Sequence, residues 1–526
     1  MQPAGLPEVQ LAEAASGPAQ MDNGHGLTPP PSLLLGDVPM TLAVEAQPAR
    51  KAVFGVLLLS GSNAFRLGVQ FLLFPILARL LTPADYGIMA LAMPVVLFAM
   101  TLGEGGMGPA LVRSPDPDGS VEATMFWTAL ATGIGCASIL LLAAPLIAGA
   151  LSHAAIAPVL SWLAPIMVLS AMCSVPSARI QKRGATWIFA LGDVASTVTG
   201  GAVALYGALT GWQVWSLVAQ QLVLWIVKFA VLLGFAGSRG HGRPGREAFR
   251  YLWLHGPPLV GANLLTLFSA SIDTMLIGRL LGVAPLGFYA LAYQIVRIPE
   301  AVLTGPIYVS FLPAIARLDG DSPAAARLFL STLRMMLGVA APMMLGLTLT
   351  ADLAVSLVLG PRWFGTAPLI MVLAPSAIVQ TLGYLATALL IGRGRSGLQF
   401  RLALLNAFLT LAGVVAGSFF GIFGVAIGVA VAVAAGSMIA LAAGMREVNI
   451  SLRRLASALS PVLAAVAIMV CGTGGLRLLL PATLPVVPSL ILVAGAGVLL
   501  YAGAMRLLAP ETVTAALAPF RRPSLS

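Results

Sequence analysis

Charge is scarce in this chain: 9% of its 526 residues are Asp, Glu, Lys or Arg, against about 25% in soluble domains. With 59% hydrophobic residues and a mean hydropathy of +0.95, that shortage excludes a soluble globular protein. Cysteine is nearly missing. Cys136, Cys173 and Cys471 lie in or beside apolar runs without CxxC spacing, so they read as small hydrophobes, not as disulfides or metal ligands. His25, His153, His241 and His255 are scattered and form no ligand cluster. No catalytic residue, metal or cofactor is expected. Residues 1–49 contain five acids and no Lys or Arg. They lack the basic start and apolar stretch of a secretion signal and are expected to form a disordered cytoplasmic tail.

What is present is long apolar runs. A helix needs about 20 apolar residues to cross a bilayer, and the sequence offers fourteen such segments: 52–80, 86–112, 122–148, 156–179, 185–209, 212–236, 250–279, 286–316, 326–352, 365–392, 396–418, 421–446, 454–478 and 484–508. The expected fold is an all-α polytopic membrane protein. In a soluble domain the net charge of +10 would point to nucleic acid, but here the positive-inside rule accounts for it. With the N-terminus in the cytoplasm, 22 of the 29 Lys and Arg fall at cytoplasmic positions. The opposite face receives four, Arg79, Arg279, Arg362 and Arg477, and the remaining three, Arg66, Lys228 and Arg297, lie within spans. Both termini are therefore expected in the cytoplasm, with an even number of spans and no nucleic-acid partner.

Residues 79–92, RLLTPADYGIMALA, return as RLLGVAPLGFYALA at 279–292, with eight of fourteen positions identical. Extended back to Gly61 and Gly261, the ungapped match covers 32 positions with 11 identities. The spacing spans six helices, an even number, so the copies share one orientation in the membrane, the parallel-repeat arrangement of transporters. The organisation expected is a tail (1–49), a six-helix lobe (50–237), a basic cytoplasmic linker (238–249), a second six-helix lobe (250–447), two extra spans (448–508) and a cytoplasmic tail (509–526). Fifty-six glycines and prolines inside the spans, Pro94 among them, suit helices that bend and slide.

An ionisable residue in the hydrocarbon core costs roughly 2.5–3.5 kcal/mol on insertion scales, so each needs a partner or a purpose. Asn63, Arg66 and Gln70 line one helical face of the first span, and Arg66 has no carboxylate within four residues. The seventh span carries Asn263, Thr266, Ser269 and Asp273. Under the repeat both stripes point in equivalent directions, at a central cleft. Glu104 lies in the second span; Arg297 and Glu300, spaced i, i+3 in the eighth, are placed to neutralise each other. Asp193 and Lys228, toward the cytoplasmic side of adjacent spans, read as a structural pair. The binding candidates are Arg66, Asn63, Gln70, Arg297 and Asn263, with arginine offering a planar fork for phosphate oxygens. Glu104, Asp273 and Glu300 are the ion-coupling candidates. The charges alone do not identify a substrate.

Several phrases resemble the Wzx-type oligosaccharide flippases of bacterial surface polysaccharide synthesis, near their WzxC-like branch. These include Ala78-Arg79-Leu80-Leu81-Thr82-Pro83-Ala84-Asp85-Tyr86-Gly87, Thr124-Met125-Phe126-Trp127 and Val214-Trp215-Ser216-Leu217-Val218-Ala219-Gln220-Gln221. The strongest runs from Ile272-Asp273-Thr274-Met275 through Gly282, followed by Leu286-Gly287-Phe288-Tyr289 and Phe311-Leu312-Pro313-Ala314. Spans nine to fourteen match only by hydropathy. Glu104 stands where relatives often carry Asp, Gln294 where they often carry a basic residue, and Arg297 where they are usually apolar.

The resemblance implies membership of the multidrug/oligosaccharidyl-lipid/polysaccharide (MOP) exporter superfamily. It further implies flipping of an undecaprenyl-diphosphate-linked oligosaccharide across the inner membrane. Lipid-linked oligosaccharide and membrane lipids are then the expected partners, with polysaccharide polymerase and chain-length or export machinery downstream. A MATE-like small-molecule antiporter would share the fold and would reveal itself by drug–proton exchange. A membrane-embedded polymerase or ligase needs a sizeable outer loop, whereas the outer loops here are short and hold only four Arg and His153.

Overall fold

The computed structural model describes residues 40–105, 108–113, 119–237, 242–306, 310–318, 321–481 and 484–510. Among them are helices α1 (Met40–Leu80), α2 (Pro83–Glu104), α3 (Gly108–Arg113), α4 (Ser120–Ala150), α5 (Ile156–Leu163), α6 (Pro165–Lys182), α7 (Trp187–Leu209) and α8 (Val214–Phe235). There follow α9 (Arg246–Leu281), α10 (Val283–Pro306), α11 (Leu312–Ala316), α12 (Ser322–Val358), α13 (Thr366–Gly392), α14 (Ser396–Ser418), α15 (Gly421–Glu447), α16 (Leu452–Leu479) and α17 (Val486–Leu508). No strand occurs among the described residues. By contacts the chain falls into two units, Met1–Val53 and Phe54–Ser526.

Twelve stretches of the described residues are helices long and apolar enough to cross a membrane. The expected seventh span falls within α9, and the expected eighth covers most of α10 together with α11; α9 and α10 are long helices outside that set of twelve. Of the expected tail 1–49, residues 1–39 lie outside the described residues, and α1 already begins at Met40. The expected C-terminal tail lies outside them from residue 511, and the linker from 238 to 241.

One expected span is not a single helix. The 86–112 segment stops at Glu104 because Gly105 turns left-handed (φ 61°) and its N–H bonds back to the Leu102 carbonyl, a glycine C-cap. α3 then starts afresh. Of the 286–316 segment, α10 ends at Pro306 and α11 starts at Leu312, and residues 307–309 between them lie outside the described residues. At the other end of α2, Thr82 and Asp85 form a capping box, with Pro83 setting the first helical turn.

The main core joins α2, α4, α5 and α6 to α10, α12, α13 and α15 through buried side chains such as Leu91, Met167, Leu291 and Leu373. A second cluster seats α16 and α17 on α12, through Val462, Val466 and Ala504 against Ala325 and Phe329. Arg477 of α16 adds an ion pair to Asp352 of α12.

The repeat reappears in three dimensions where α2 crosses α10. A Cβ at Gly87 would overlap the carbonyl of Val283, and a Cβ at Gly287 would overlap that of Pro83. Positions 83 and 87 are the repeat equivalents of 283 and 287, so one contact is made twice in reciprocal sense. Only glycine lets two backbones approach this closely. Trp363, fully buried, wedges beside the crossing with its ring edge-on to Tyr86 at 5.4 Å and Phe288 at 5.9 Å. Its Nε1 donates to the Ala78 carbonyl at 2.6 Å. Arg79 satisfies the open C-terminus of α12, donating to the carbonyls of Leu357 and Val358.

Candidate functional site

Two polar cavities flank the first six spans. The one toward the linker face, about 380 Å³, is lined by Glu104 at the end of α2, Ser170, Ser174 and Ser177 of α6, Lys228 of α8 and Asn263 of α9. Serines at 170, 174 and 177 share one helical face. Lys228 is held by Asp193 of α7 at 2.9 Å, as expected, with both side chains partly exposed. Glu104 makes no ion pair among the described residues and is exposed into this cavity.

Nearer the α2–α10 crossing lies a second cavity of about 300 Å³. Gln70 of α1, Thr197 of α7, Gln220 and Gln221 of α8 and Gln294 of α10 supply its polar lining; Phe74 and Tyr86 supply apolar faces. Among the described residues, no Asp, Glu, Lys or Arg lines it. Arg66 sits one turn from Gln70 along α1, half-buried, its Nε buried and without a hydrogen-bond partner. No carboxylate pairs with it among the described residues. Asn63, a further turn away, is exposed.

The charges of α9 and α10 are arranged otherwise. Asp273 is buried and accepts hydrogen bonds from the Thr274 backbone N–H at 2.7 Å and the Tyr289 hydroxyl at 3.1 Å. Tyr289 stacks on Tyr293 with centroids 5.8 Å apart, and the Arg297 guanidinium lies 5.7 Å from the Tyr293 ring. Residues 289, 293, 297 and 300 follow one face of α10. Glu300 is buried with Oε1 unpartnered, and Arg297 and Tyr384 are among its polar neighbours. Arg297 and Glu300 form no ion pair among the described residues, so the neutralisation expected from their i, i+3 spacing is not made. The guanidinium takes the aromatic face instead and stays exposed.

The chain matches the model of a family described as "polysaccharide biosynthesis protein" over residues 76–368, more than half its length. It belongs to that family. It is 28% identical over 389 residues to the succinoglycan biosynthesis transport protein ExoT of Rhizobium meliloti, covering 73% of this chain and 77% of that one. To the lipopolysaccharide biosynthesis protein WzxC of Escherichia coli it is 22% identical, over 69% of this chain and 74% of the relative. Among solved structures, the lipid II flippase MurJ in an inward closed conformation superposes with a TM-score of 0.68 at 11% identity, over 87% of this chain and all of that one. An inward-facing MATE family multidrug transporter of the MOP superfamily gives 0.59 at 13% identity, over 72% and 94%. The fold is that of these exporters.

Against the sequence expectations, Gln70 lines the cavity nearer the crossing, the upper one, with Arg66 one turn away, while Glu104 and Asn263 meet at the linker-side, lower one. Asp273 enters neither: it turns to Tyr289. Arg297 and Glu300 also line neither cavity. The side chains of Thr266 and Ser269 lie outside the described residues. The sequence pattern does not single out Gln220, Gln221 or Thr197 as site residues. A pair of adjacent glutamines inside an apolar span was the available signal.

Proposed function

We propose that this protein flips an undecaprenyl-diphosphate-linked oligosaccharide from the cytoplasmic to the periplasmic leaflet of the bacterial inner membrane. It does so without chemistry on its cargo, for synthesis of an exopolysaccharide or O-antigen-type surface polysaccharide. Family membership and the names of the relatives support the class of function. One observation carries the site: Arg66, inside the Gly61–Leu80 span, has a buried Nε with no hydrogen-bond partner and, among the described residues, no paired carboxylate. A guanidinium keeps its charge, and its fork of donors matches phosphate oxygens. A visiting diphosphate would supply the missing anion.

The linker face is then the cytoplasmic one, because 22 of the 29 basic residues gather there. The six-span groups 50–237 and 250–447 act as two lobes rocking about the α2–α10 crossing, with 448–508 as an added pair. In the conformation observed the crossing is shut and the cargo enters from the linker side. Ion coupling, by protons or sodium, falls to Glu104, Asp273 or Glu300, and Glu104 is the carboxylate that a dissolved ion reaches most directly. The product passes to the polymerase and export machinery.

The test is polysaccharide export in cells whose own gene is replaced. Arg66→Ala abolishes export with the protein still at normal levels in the membrane. Arg66→Lys restores only part, since an ammonium keeps charge but loses the bidentate fork. Normal export by Arg66→Ala, or disappearance of the protein from the membrane, would make Arg66 a folding residue.

A further inference from the structure

We propose that the upper cavity is a sugar subsite that selects an uncharged sugar carried next to the diphosphate and rejects an acidic one. This rests on the lipid-diphosphate reading of Arg66 and adds the chemistry of what hangs from it.

The argument starts from what the cavity offers. Gln70, Gln220, Gln221 and Gln294 converge on it from three helices, and their carboxamides make no hydrogen bond to the protein among the described residues. In a span, polar side chains left without partners are costly, so groups that can visit them are favoured. Each carboxamide both donates and accepts. A sugar hydroxyl does the same, so hydroxyl and carboxamide pair in either sense around a ring. Phe74 and Tyr86 give the apolar surface on which the C–H face of a sugar ring can rest. Tyr86 is held in place by its edge contact to Trp363.

Charge sets the selectivity. A carboxylate-bearing sugar would surrender hydration in a cavity whose described lining holds no cation, and buried charge without a partner is strongly disfavoured. The lower cavity, with Lys228 and Glu104, is charged, and the upper one is not. Size limits the occupant: about 300 Å³ lies at the small end of ligand sites, roughly 300–1,000 Å³, and suits a monosaccharide rather than a whole repeating unit. Position identifies which sugar. Arg66 and Gln70 are four residues apart on α1, a rise of about 6 Å, so a diphosphate at Arg66 places its attached sugar at the glutamines.

The experiment measures binding to the purified full-length protein of three probes: farnesyl diphosphate, the same lipid bearing glucose, and the same lipid bearing glucuronic acid. The glucosyl lipid should bind at least about tenfold more tightly than the other two, a difference of about 1.4 kcal/mol. The double variant Gln220→Leu, Gln294→Leu should bring the glucosyl lipid down to the level of bare farnesyl diphosphate while leaving the latter unchanged. Bare farnesyl diphosphate thus serves as the control for folding. Gln294→Arg should raise affinity for the glucuronosyl lipid. Equal binding of all three by the natural protein overturns the proposal, as does an equal loss of all three in the double variant. If Arg66→Ala binds all three as the natural protein does, the diphosphate reading falls as well, an outcome distinct from a mere loss of sugar selectivity.

Discussion

The two halves of the repeat share a backbone phrase and differ in what they do with polarity. In the first, Arg66 and Glu104 have no ion-pair partner among the described residues, and they and Gln70 lie at or beside cavities. In the second, Asp273 is met by Tyr289, which stacks on Tyr293 beside the exposed Arg297, while Glu300 on the same face keeps one buried oxygen unpartnered. The repeat equivalents show the divergence residue by residue: Arg66 matches Thr266, Leu73 matches Asp273, and Glu104 matches Thr304. The positions kept in common, above all Gly87 and Gly287, are those where backbones touch. The repeat thus builds the frame, and its broken symmetry builds the chemistry.

The largest expected effect comes from breaking what the halves share. Gly87→Val puts a branched side chain into the Val283 carbonyl, and such overpacking costs about 1–3 kcal/mol. That cost falls on the closed crossing and shifts the balance roughly fivefold to about 150-fold toward an open Arg79 face. Thiol labelling of single cysteines placed near Tyr86 should rise, and export should fall, with the protein still inserted. Gly287→Val should do the same, since the contact is reciprocal. If only one of the two variants opens the face, the crossing is not the shared hinge.

The second effect separates the halves. Tyr289→Phe removes a hydrogen bond to a buried carboxylate and should lower thermal stability by about 1.5–3 kcal/mol. Asp273→Asn keeps the shape and should lose less. If Asp273 also couples transport to an ion gradient, Asp273→Asn lowers export at normal membrane levels and alters its dependence on proton or sodium gradients. Export and gradient dependence both unchanged would assign Asp273 to structure alone.

The frame was legible in the sequence because bilayer thickness fixes the length of apolar runs, and repeated phrases keep their positions. The broken span was less legible. Gly103 to Gly108 read as part of one helix, yet Gly105 in a left-handed conformation ends it, and hydropathy carries no trace of that turn. The Asp193–Lys228 pair was readable, because two opposite charges at equal depth on adjacent spans have few other partners. The direction of Asp273 was not. Its helix face matched that of Arg66 by position, but Tyr289, sixteen residues on, drew it into the packing. The glutamine cavity escaped notice for a related reason: uncharged polar residues in a span raise no alarm until several helices bring them together.

The smallest effect is expected at Arg297, and it sharpens the comparison most directly. Spacing alone pairs this residue with Glu300, and truncation would then leave a buried carboxylate unmet, at a cost of about 3–5 kcal/mol. The structure gives it an aromatic face instead and leaves it exposed. An exposed cation–π contact is worth about 0.5–1 kcal/mol, so Arg297→Ala should change stability and export by less than about fivefold. Arg297→Lys should be nearly silent, since the ring accepts either cation. Glu300→Gln, made in the same background, should have the same effect with Arg297 or Ala at that position, because the two do not pair. A coupling well above 1 kcal/mol in that double-mutant cycle would restore the ion pair. It would also make the second half of the repeat a charged site like the first, and the division between an open, binding half and a packed, structural half would no longer hold.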